Sequence, residues 1–292
     1  MLGIDVGGTT IKGVTLTESG VVASEFRSPT PSPDDTGERV IEAVVEVAEA
    51  LGHAPGDPVG LVVPGIVDDV RGIAVWSANI GFRGAPLREL ASRRLDAPVA
   101  FGQDVRAGAV AEMRSGAARD ATGSVAFVAV GTGVAAALVV DGRMLVSDGW
   151  AGEIGQTIIS NGPHAGRRVE EVASASATAR RAGEIDALAV ARRVSAGDPA
   201  AGAVWADTVA VLADSLAAIV ATIAPSTIVI GGGLSRAGTL LLDPLRRELG
   251  GALGALRAPT IVAAKHDDLA SAIGASYLAS DLRASLTSAH RS

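Results

Sequence analysis

The sequence predicts an α/β protein built from two similar halves, and three observations support this prediction. Short apolar runs of strand type alternate with segments whose apolar residues recur at helical spacing, a pattern typical of α/β folds. The same order of segments occurs twice, so we expect duplicated βββαβαβα lobes with a central cleft. Each lobe opens with a glycine and threonine turn between two strands, at Gly7-Gly8-Thr9 and at Gly131-Thr132-Gly133.

The first lobe begins with three apolar runs, MLGID, TIKGVTL and GVVASEF, which predict an antiparallel meander that turns at Gly7-Gly8. Asp34-Asp35 is expected to open a helix that ends at Gly52, because carboxylates are favourable at the positive end of a helix dipole. The remaining elements of this lobe are predicted as a strand, a helix, a strand and a helix at residues 58–64, 86–95, 98–101 and 104–116.

The second lobe is predicted to begin with another meander, in which Asp141-Gly142 is a strong signal for a two-residue hairpin turn. Its elements are predicted as strands at 124–130, 135–140 and 144–146, helices within 168–224, a strand at 227–230, a helix from 240 and a strand at 259–263. We place the boundary after Asp104, so that the domains are 1–104 and 105–267, and we expect the C-terminal helix 268–292 to pack back on the first.

Composition excludes several classes of protein. With 32 acidic and 25 basic residues the chain carries a net charge of −7 and has no basic cluster, so we expect no nucleic-acid partner. The absence of cysteine excludes disulfides, thiolate zinc sites and a cysteine nucleophile. Because the sequence shows neither a signal peptide nor an apolar run of about 18 residues, we expect a cytoplasmic protein with no membrane partner.

The first candidate site is a strand that ends in a carboxylate and is followed by a glycine turn, two hydroxyls and an ammonium group. Its residues are Asp5, Gly7, Gly8, Thr9, Thr10 and Lys12. Paired glycines permit positive φ angles and let a phosphate approach backbone N–H groups closely. A plain glycine hairpin with a solvated aspartate is the alternative, but the full set of polar neighbours favours a phosphate-binding loop.

The segment from Gly131 to Ala136 formally matches the dinucleotide-binding fingerprint, in which the third small residue opens a helix. Residues 135–140 lead instead into the hairpin signal at Asp141-Gly142, so we reject a dinucleotide site. We expect Gly131, Thr132 and Gly133 to form a second hairpin that faces the first and holds a polyphosphate from the other side.

Two further candidates lie where predicted strands end. Gly231-Gly232-Gly233 would let a flat ligand such as adenine lie against bare backbone, although an ordinary strand–helix loop is equally typical of this pattern. Asp104 follows Gln103 at the end of a strand, where ligands bind in α/β sheets. A capping role is the alternative for Asp104. In combination with two phosphate-binding loops, a general base for a sugar hydroxyl is favoured.

Taken in order, these motifs resemble the ROK family of sugar kinases and related repressors, within the actin-like ATPase (ribonuclease H-like) superfamily. LGIDVGGTTIKGVTL resembles the first phosphate loop of the family, GTGVAAALVVDG the second, and VIGGGLS the adenosine segment. VPGIVDDVRGIAVWSANIGF, GQDVRAGAVAE, AGEIGQ and AGRRVEEVASASA resemble its Pro-Gly-x-Val-Asp segment, its Asn-Asp catalytic motif, its Glu-x-Gly-His motif and its zinc-binding segment. The resemblance covers nearly the whole chain.

The resemblance implies a two-lobed kinase that binds ATP, Mg²⁺ and a small sugar, with Asp104 as the catalytic base. It implies that Asp5 organises Mg²⁺ through water, that Lys12 and the two loops surround the phosphates, and that the protein is a homodimer. The residues that it implies for sugar binding are Asn79, Gln103, Glu153, Gln156 and Glu170.

Departures from the family pattern concern the zinc and sugar sites. No cysteine remains and the segment between Arg168 and Val169 is shorter, so we expect no structural zinc. Gln156 stands in place of a histidine that touches the sugar, and Gln103 in place of a sugar-binding asparagine. Without a metal, the rotamer of Gln156 must be held by neighbouring residues, so we expect weaker and less selective sugar binding.

We therefore expect an ATP-dependent kinase that acts on a hexose or a hexose derivative. A repressor of the same family would carry an N-terminal winged helix, and with Asp5 almost at the start of the sequence we expect none. A catalytically weak or inactive sugar-binding protein of the same fold is the other alternative, because the sugar pocket and the zinc segment have both changed. The retention of Asp5 together with Asp104 favours the kinase.

Overall fold

The chain divides into two compact units in the computed structural model, which describes residues 1–289. The first unit consists of Met1–Ser115, Val146–Trp150 and the chain from Leu269, and the second of Gly116–Leu145 and Ala151–Asp268. The sequence predicts a boundary after Asp104, but in the structure the first division falls after Ser115. The reason is that the helix that begins at Asp104 packs against the C-terminal helix and so belongs to the first unit. Residues 290–292 of the expected C-terminal helix lie outside the described residues.

The first unit is built on a five-stranded sheet. Its elements are β1 (Leu2–Val6), β2 (Thr10–Leu16), β3 (Val22–Pro29), α1 (Glu38–Ala50), β4 (Val59–Val63), β5 (Ile66–Asp68), β6 (Ile73–Trp76), β7 (Arg83–Ala85), α2 (Leu87–Leu95), β8 (Val99–Gln103), α3 (Asp104–Ser115) and α9 (Ala270–Ala289). The strand order is β3-β2-β1-β4-β8, and β5, β6 and β7 form a separate small sheet. Since β1, β4 and β8 are parallel, their carboxyl ends share one edge.

Different helices cover the two faces of this sheet, because successive side chains of a strand point to opposite faces. Ile4 and Val6 belong to the hydrophobic core that includes the apolar face of α1. On the other face, Gly3 and Gly60 leave room for the backbone of α9. A Cβ atom built at Gly60 would lie 1.8 Å from the carbonyl oxygen of Ala275. Helix α9 therefore lies directly on the sheet.

The second unit repeats this arrangement. Its elements are β9 (Val125–Val130), β10 (Val134–Val140), β11 (Arg143–Met144), α4 (Val169–Ala173), α5 (Ala175–Ala182), α6 (Ala187–Ser195), α7 (Pro199–Ile223), β12 (Thr227–Gly231), α8 (Thr239–Ala252) and β13 (Thr260–Ala263). The strand order β11-β10-β9-β12-β13 matches that of the first sheet when the strands are counted within each five-stranded sheet, leaving out β5, β6 and β7. This match confirms the predicted duplication of the α/β fold.

The segment after Gly131 forms strand β10 and not the helix that a dinucleotide fingerprint requires. Asp141 and Gly142, at the end of β10, both have positive φ angles, as a two-residue hairpin turn demands. The prediction of a hairpin is therefore confirmed. Strand β11 ends at Met144, two residues earlier than expected.

Helix α7 is, among the described residues, the one helix long and apolar enough to cross a membrane by length and composition alone. Trp205, Leu212 and Leu216 on this helix are buried in the hydrophobic core of the second unit. Its apolar composition is therefore explained in part by packing within that unit.

Helix α1 begins at Glu38 and not at Asp34, where the sequence predicted its start. Asp34 is buried, and its carboxylate accepts hydrogen bonds from the N–H groups of Gly37 at 3.1 Å and Val40 at 2.9 Å. Gly37, at the N-cap position, has a φ of 83°. The acidic residue thus satisfies the helix N-terminus from outside the helix.

We expect Asp34→Ala to lower the free energy of unfolding by about 1–2 kcal/mol, because two backbone N–H groups at the start of α1 lose their acceptor. Urea denaturation followed by circular dichroism measures this change. Asp35→Ala is the matched control, since Asp35 is exposed, and it should change the free energy of unfolding by less than about 0.5 kcal/mol. Equal losses in the two variants would contradict the capping role of Asp34.

Candidate functional site

The first group of predicted site residues surrounds the carboxyl end of β1. Asp5 is only 6% exposed and stands directly opposite Lys12 of β2. Because residues paired across antiparallel strands project to the same side of a sheet, both side chains lie on the face that α9 covers. Thr10 opens β2, and Thr9 is exposed in the turn before it. A carboxylate, an ammonium group and two hydroxyls are thus brought together.

The turn between β1 and β2 is held by hydrogen bonds through Gly7. Its N–H donates to the carbonyl oxygen of Thr10 at 3.0 Å, and its carbonyl oxygen accepts from the hydroxyl of Thr30 at 2.7 Å. The predicted sugar-binding residue Asn79 lies against this turn. A Cβ atom built at Gly8 would lie 3.2 Å from the Cβ atom of Asn79, so a glycine at this position makes the close approach possible.

Asp104 follows β8 directly and is the first residue of α3. Its Oδ1 atom accepts a hydrogen bond from the N–H of Val105 at 2.8 Å. Strand β4 alone separates β8 from β1, which places the strand of Asp104 about 10 Å from the strand of Asp5 at the same edge of the sheet. The carboxyl edge of a parallel sheet is where α/β proteins bind ligands.

Gln103 is buried, and its Oε1 atom accepts a hydrogen bond from the N–H of Arg106 at 2.9 Å. The amide oxygen of Gln103 therefore faces the start of α3, and the NH₂ group of the same amide, which is a donor, points away from it. For the predicted sugar-binding role of Gln103, this contact orients the NH₂ group as a donor.

Arg106 is a buried residue, 6% exposed, that no sequence motif marked as part of a site. Its Nη2 atom donates to Oδ1 of Asp69 at 2.7 Å. Burial raises the pKa of Asp69, and the positive charge of Arg106 opposes this rise. An arginine among small apolar residues of a helix was the available signal, since a buried charge requires a partner.

In the second unit the two glycine segments lie at one sheet edge, because β9 and β12 are parallel neighbours. Gly232 has a φ of 80°, and a Cβ atom there would lie 2.6 Å from the carbonyl carbon of Val130. A side chain at this position would be strained and would also collide with the end of β9. Bare backbone of Gly231-Gly232-Gly233 therefore lies beside Gly131, and Thr132 is exposed in the neighbouring turn.

A cavity of about 480 Å³ adjoins Gly233. It is lined by apolar residues that include Ala175, Ile185 and Leu188, and by charged residues that include Arg180, Glu184, Asp186 and Arg236. Ile185 is 91% exposed although it is apolar. A cavity that combines apolar and polar lining residues is suited to a flat aromatic ligand with polar edges.

The predicted sugar-binding residue Glu170 lies next to the second glycine turn. A Cβ atom built at Gly133 would lie 2.9 Å from Oε2 of Glu170, so a side chain there would require the Glu170 carboxylate to shift. The other carboxylate oxygen, Oε1, lies 3.0 Å from Nη1 of Arg168. The second predicted phosphate loop and a predicted sugar ligand are therefore direct neighbours.

Glu153 and Gln156 lie on a segment that packs on β10. A Cβ atom built at Gly152 would lie 1.8 Å from the carbonyl oxygen of Ala136, so the segment approaches the strand as closely as backbone permits. Gln156 accepts a hydrogen bond at its Oε1 atom from Nη1 of Arg168 at 2.9 Å. Arg168, to which the sequence motifs assigned no role, contacts two of the predicted sugar-binding residues, Gln156 and Glu170.

The predicted residues thus form two sets, one in each unit. The set in the first unit is Asp5, Gly7, Gly8, Thr9, Thr10, Lys12, Asn79, Gln103 and Asp104. The set in the second unit is Gly131, Thr132, Gly133, Glu153, Gln156, Glu170, Gly231, Gly232 and Gly233.

Comparison with known proteins identifies similar sequences and structures along most of the chain. A model of the ROK family matches residues 1–282. A glucokinase of Halalkalibacterium halodurans is 32% identical over 282 residues, covering 85% of this chain and 84% of the relative. An N-acetylmannosamine kinase of Escherichia fergusonii is 32% identical over 247 residues, covering 81% of this chain and 84% of the relative.

A crystal structure of a ROK family glucokinase from Streptomyces griseus, in complex with glucose and AMPPNP, superposes with a TM-score of 0.85 at 27% identity. The match covers 96% of this chain and 99% of that protein. It confirms the predicted fold class.

Hydrogen bonds from the backbone N–H and the guanidinium group of Arg168 lower the pKa of Glu171 below its ordinary value of 4.5. We expect an NMR titration of the Glu171 carboxyl to give a pKa below 4.5, and Arg168→Met to raise it, because the guanidinium bond at 3.1 Å is lost. Because the pKa of Glu171 is lower in the folded protein than in the unfolded chain, the ionised carboxylate stabilises the fold at pH values above the unfolded pKa. This stabilisation is lost as the pH falls through the pKa of the folded protein. The stability difference between Arg168→Met and wild type should therefore shrink in acid. A wild-type pKa of 4.5 or higher would contradict this expectation.

Proposed function

This chain belongs to the ROK family and is an ATP-dependent carbohydrate kinase, and we propose that it phosphorylates a hydroxyl of a hexose or hexose derivative with Asp104 as the general base. The observation that supports this proposal is the position of Asp104 at the carboxyl edge of the sheet that also carries Asp5. Phosphoryl transfer depends on positioning and charge neutralisation more than on covalent chemistry, so one base and a set of phosphate ligands suffice.

Asp104 accepts the proton of the sugar hydroxyl in this mechanism. The hydroxyl oxygen bonds to the γ-phosphorus of ATP, the bond from that phosphorus to the β–γ bridging oxygen breaks, and ADP leaves. The hydrogen bond from the N–H of Val105 orients the carboxylate at the start of α3. Asn79, Gln103, Glu153, Gln156 and Glu170 bind the sugar hydroxyls.

ATP and Mg²⁺ are the proposed co-substrate and cofactor. Asp5 fits the ion, because a carboxylate oxygen near a phosphate site is the ligand type that Mg²⁺ prefers, and Asp5 would hold it through water. The ion would neutralise charge on the phosphates. Lys12 and the two glycine turns bind the phosphates, and adenine occupies the cavity beside Gly233.

Glucose and N-acetylmannosamine are the first sugars to test, because relatives that match most of this chain are named as kinases of these sugars. We further propose a cytoplasmic homodimer, as the resemblance to the family implies. A coupled assay of ADP release over hexoses, N-acetylhexosamines and small polyols identifies the substrate. Sugar binding without turnover for every sugar would favour the alternative of a catalytically inactive sugar-binding protein.

We expect Asp104→Asn to lower kcat by about 10²–10⁴-fold while sugar affinity stays within a few-fold, because the amide is nearly isosteric but cannot accept the proton. Steady-state kinetics with the best sugar measures this loss. Asp120→Asn makes the same chemical change at an exposed site and serves as the control. Retention of more than about a tenth of wild-type kcat would contradict the assignment of the base.

Removal of Mg²⁺ with EDTA should stop turnover, and added Mg²⁺ should restore it. A zinc-selective chelator should leave the Tm of the nucleotide-free protein unchanged, since the chain has no cysteine and residues 1–289 contain no group of three or more potential metal ligands. Stoichiometric zinc found by elemental analysis of purified protein would contradict this expectation.

A further inference from the structure

We propose that Arg168 is a positioning residue that fixes the side chains of Gln156 and Glu170 and thereby sets the affinity and selectivity for the sugar. This proposal rests on the proposed sugar-binding roles of those two residues. The Nη1 atom of Arg168 lies 2.9 Å from Oε1 of Gln156 and 3.0 Å from Oε1 of Glu170. One guanidinium nitrogen therefore contacts both.

The guanidinium group is itself held in place. Nη2 donates to Oε1 of Glu171 at 3.1 Å, and the backbone N–H of Arg168 donates to Oε2 of the same carboxylate at 2.9 Å. Arginine is suited to this arrangement because its donors form a rigid planar fork, whereas a lysine offers a single ammonium group. Glu171 thus anchors Arg168 from one side while Gln156 and Glu170 are held on the other.

Backbone geometry explains why Gln156 and Arg168 meet. The chain between them folds back on itself, since the N–H of Val169 donates to the carbonyl oxygen of Thr157 at 2.9 Å. Ile158 and Arg168 form an antiparallel bridge within the same turn of chain. Gln156 and Arg168 therefore stand at the two ends of a closed loop. The loop thus brings Arg168 to Gln156 as the neighbouring residue that holds its rotamer.

The contact also decides what Gln156 can offer to a ligand. Because a guanidinium group only donates, the amide oxygen of Gln156 must face it, and the NH₂ group points away. Gln156 is then a hydrogen-bond donor to a sugar oxygen, either a hydroxyl or the carbonyl of an N-acetyl group. Glu170 supplies the complementary acceptor for a sugar hydroxyl. Arg168 thus fixes a donor and an acceptor together.

The test compares Arg168→Met and Arg168→Lys with Arg167→Met. Arg167 is the matched control, because it is the neighbouring arginine and its guanidinium donates to a backbone carbonyl, that of Glu171, and not to a proposed sugar-binding side chain. We expect Arg168→Met to raise the sugar KM about tenfold, in line with the loss of a residue that orients ligands, while kcat and the ATP KM stay within a few-fold. Arg168→Lys should be intermediate, and Arg167→Met should match wild type. The ratio of kcat/KM between the two best sugars should fall in Arg168→Met.

Isothermal titration calorimetry with the same sugar, without nucleotide, gives the affinity independently of turnover. An unchanged sugar affinity in Arg168→Met overturns the proposal, as does an equal rise in the KM for ATP together with a lower Tm, which would indicate a merely structural role. In a background that carries Gln156→Ala and Glu170→Gln, Arg168→Met should have no further effect on sugar affinity. A full effect in that background overturns the proposal.

Failure of the proposed function gives a different result. If Gln156→Ala and Glu170→Gln leave sugar affinity unchanged, these residues do not bind the sugar, and the role of Arg168 falls with them. If those two variants weaken binding but Arg168→Met does not, the sugar site stands and only the positioning role is wrong.

Discussion

The close contact of helix α9 with the first sheet is the constraint on which the first set of site residues depends. Gly3 and Gly60 remove the side chains that would hold the helix away from the strands, and Gly274 on α9 does the same toward α3. A Cβ atom at Gly274 would lie 1.9 Å from the carbonyl oxygen of Ala107. Helix α3 is thereby fixed against α9, and its first residue is Asp104. The position of the proposed base is therefore decided by glycines distant from it in sequence.

Glycine has a comparable role in the second unit, where it allows polar groups to approach the chain. Glu170 lies against Gly133, and the backbone of Gly152 lies on β10. A side chain at Gly152 would collide with the backbone of Ala136, and one at Gly133 would displace the carboxylate of Glu170. The carboxylate and the amide at positions 170 and 156 are then oriented by Arg168, so that backbone packing supplies the approach and a charged group supplies the direction.

Charge pairing limits what the site residues can do. Arg106 is buried against Asp69, and the oxygen atoms of Gln103 and Gln156 each accept a hydrogen bond from the protein. These bonds orient each amide so that its NH₂ group, which donates, points away from the protein partner. Hydrogen bonds within each unit thus orient two amide side chains with their donor groups outward, as the proposed binding of sugar hydroxyls requires.

Much of the fold was predictable from the sequence because it depends on local patterns. Glycine turns and apolar runs predicted the hairpins at Gly7-Gly8 and at Asp141-Gly142, and the structure confirms a strand where a dinucleotide site would need a helix. The predicted start of α1 was wrong by four residues. Asp34 lies before the helix and caps it by accepting hydrogen bonds from the N–H groups of Gly37 and Val40. Acidic residues before a helix do not by themselves distinguish a first-turn residue from a cap.

The sequence by itself determined the chemistry that is available: carboxylates at the ends of strands, two glycine turns, a third glycine segment and no cysteine. Only the tertiary structure decided the partners of those groups. The sequence marked Arg106 only as an arginine among small apolar residues and gave no signal for Arg168, because the contacts of these residues with Asp69 and Gln156 are not encoded by a local pattern. Periodicity and turn chemistry act between near neighbours in the chain, whereas the pairing of a buried charge is set by which segments pack together in space.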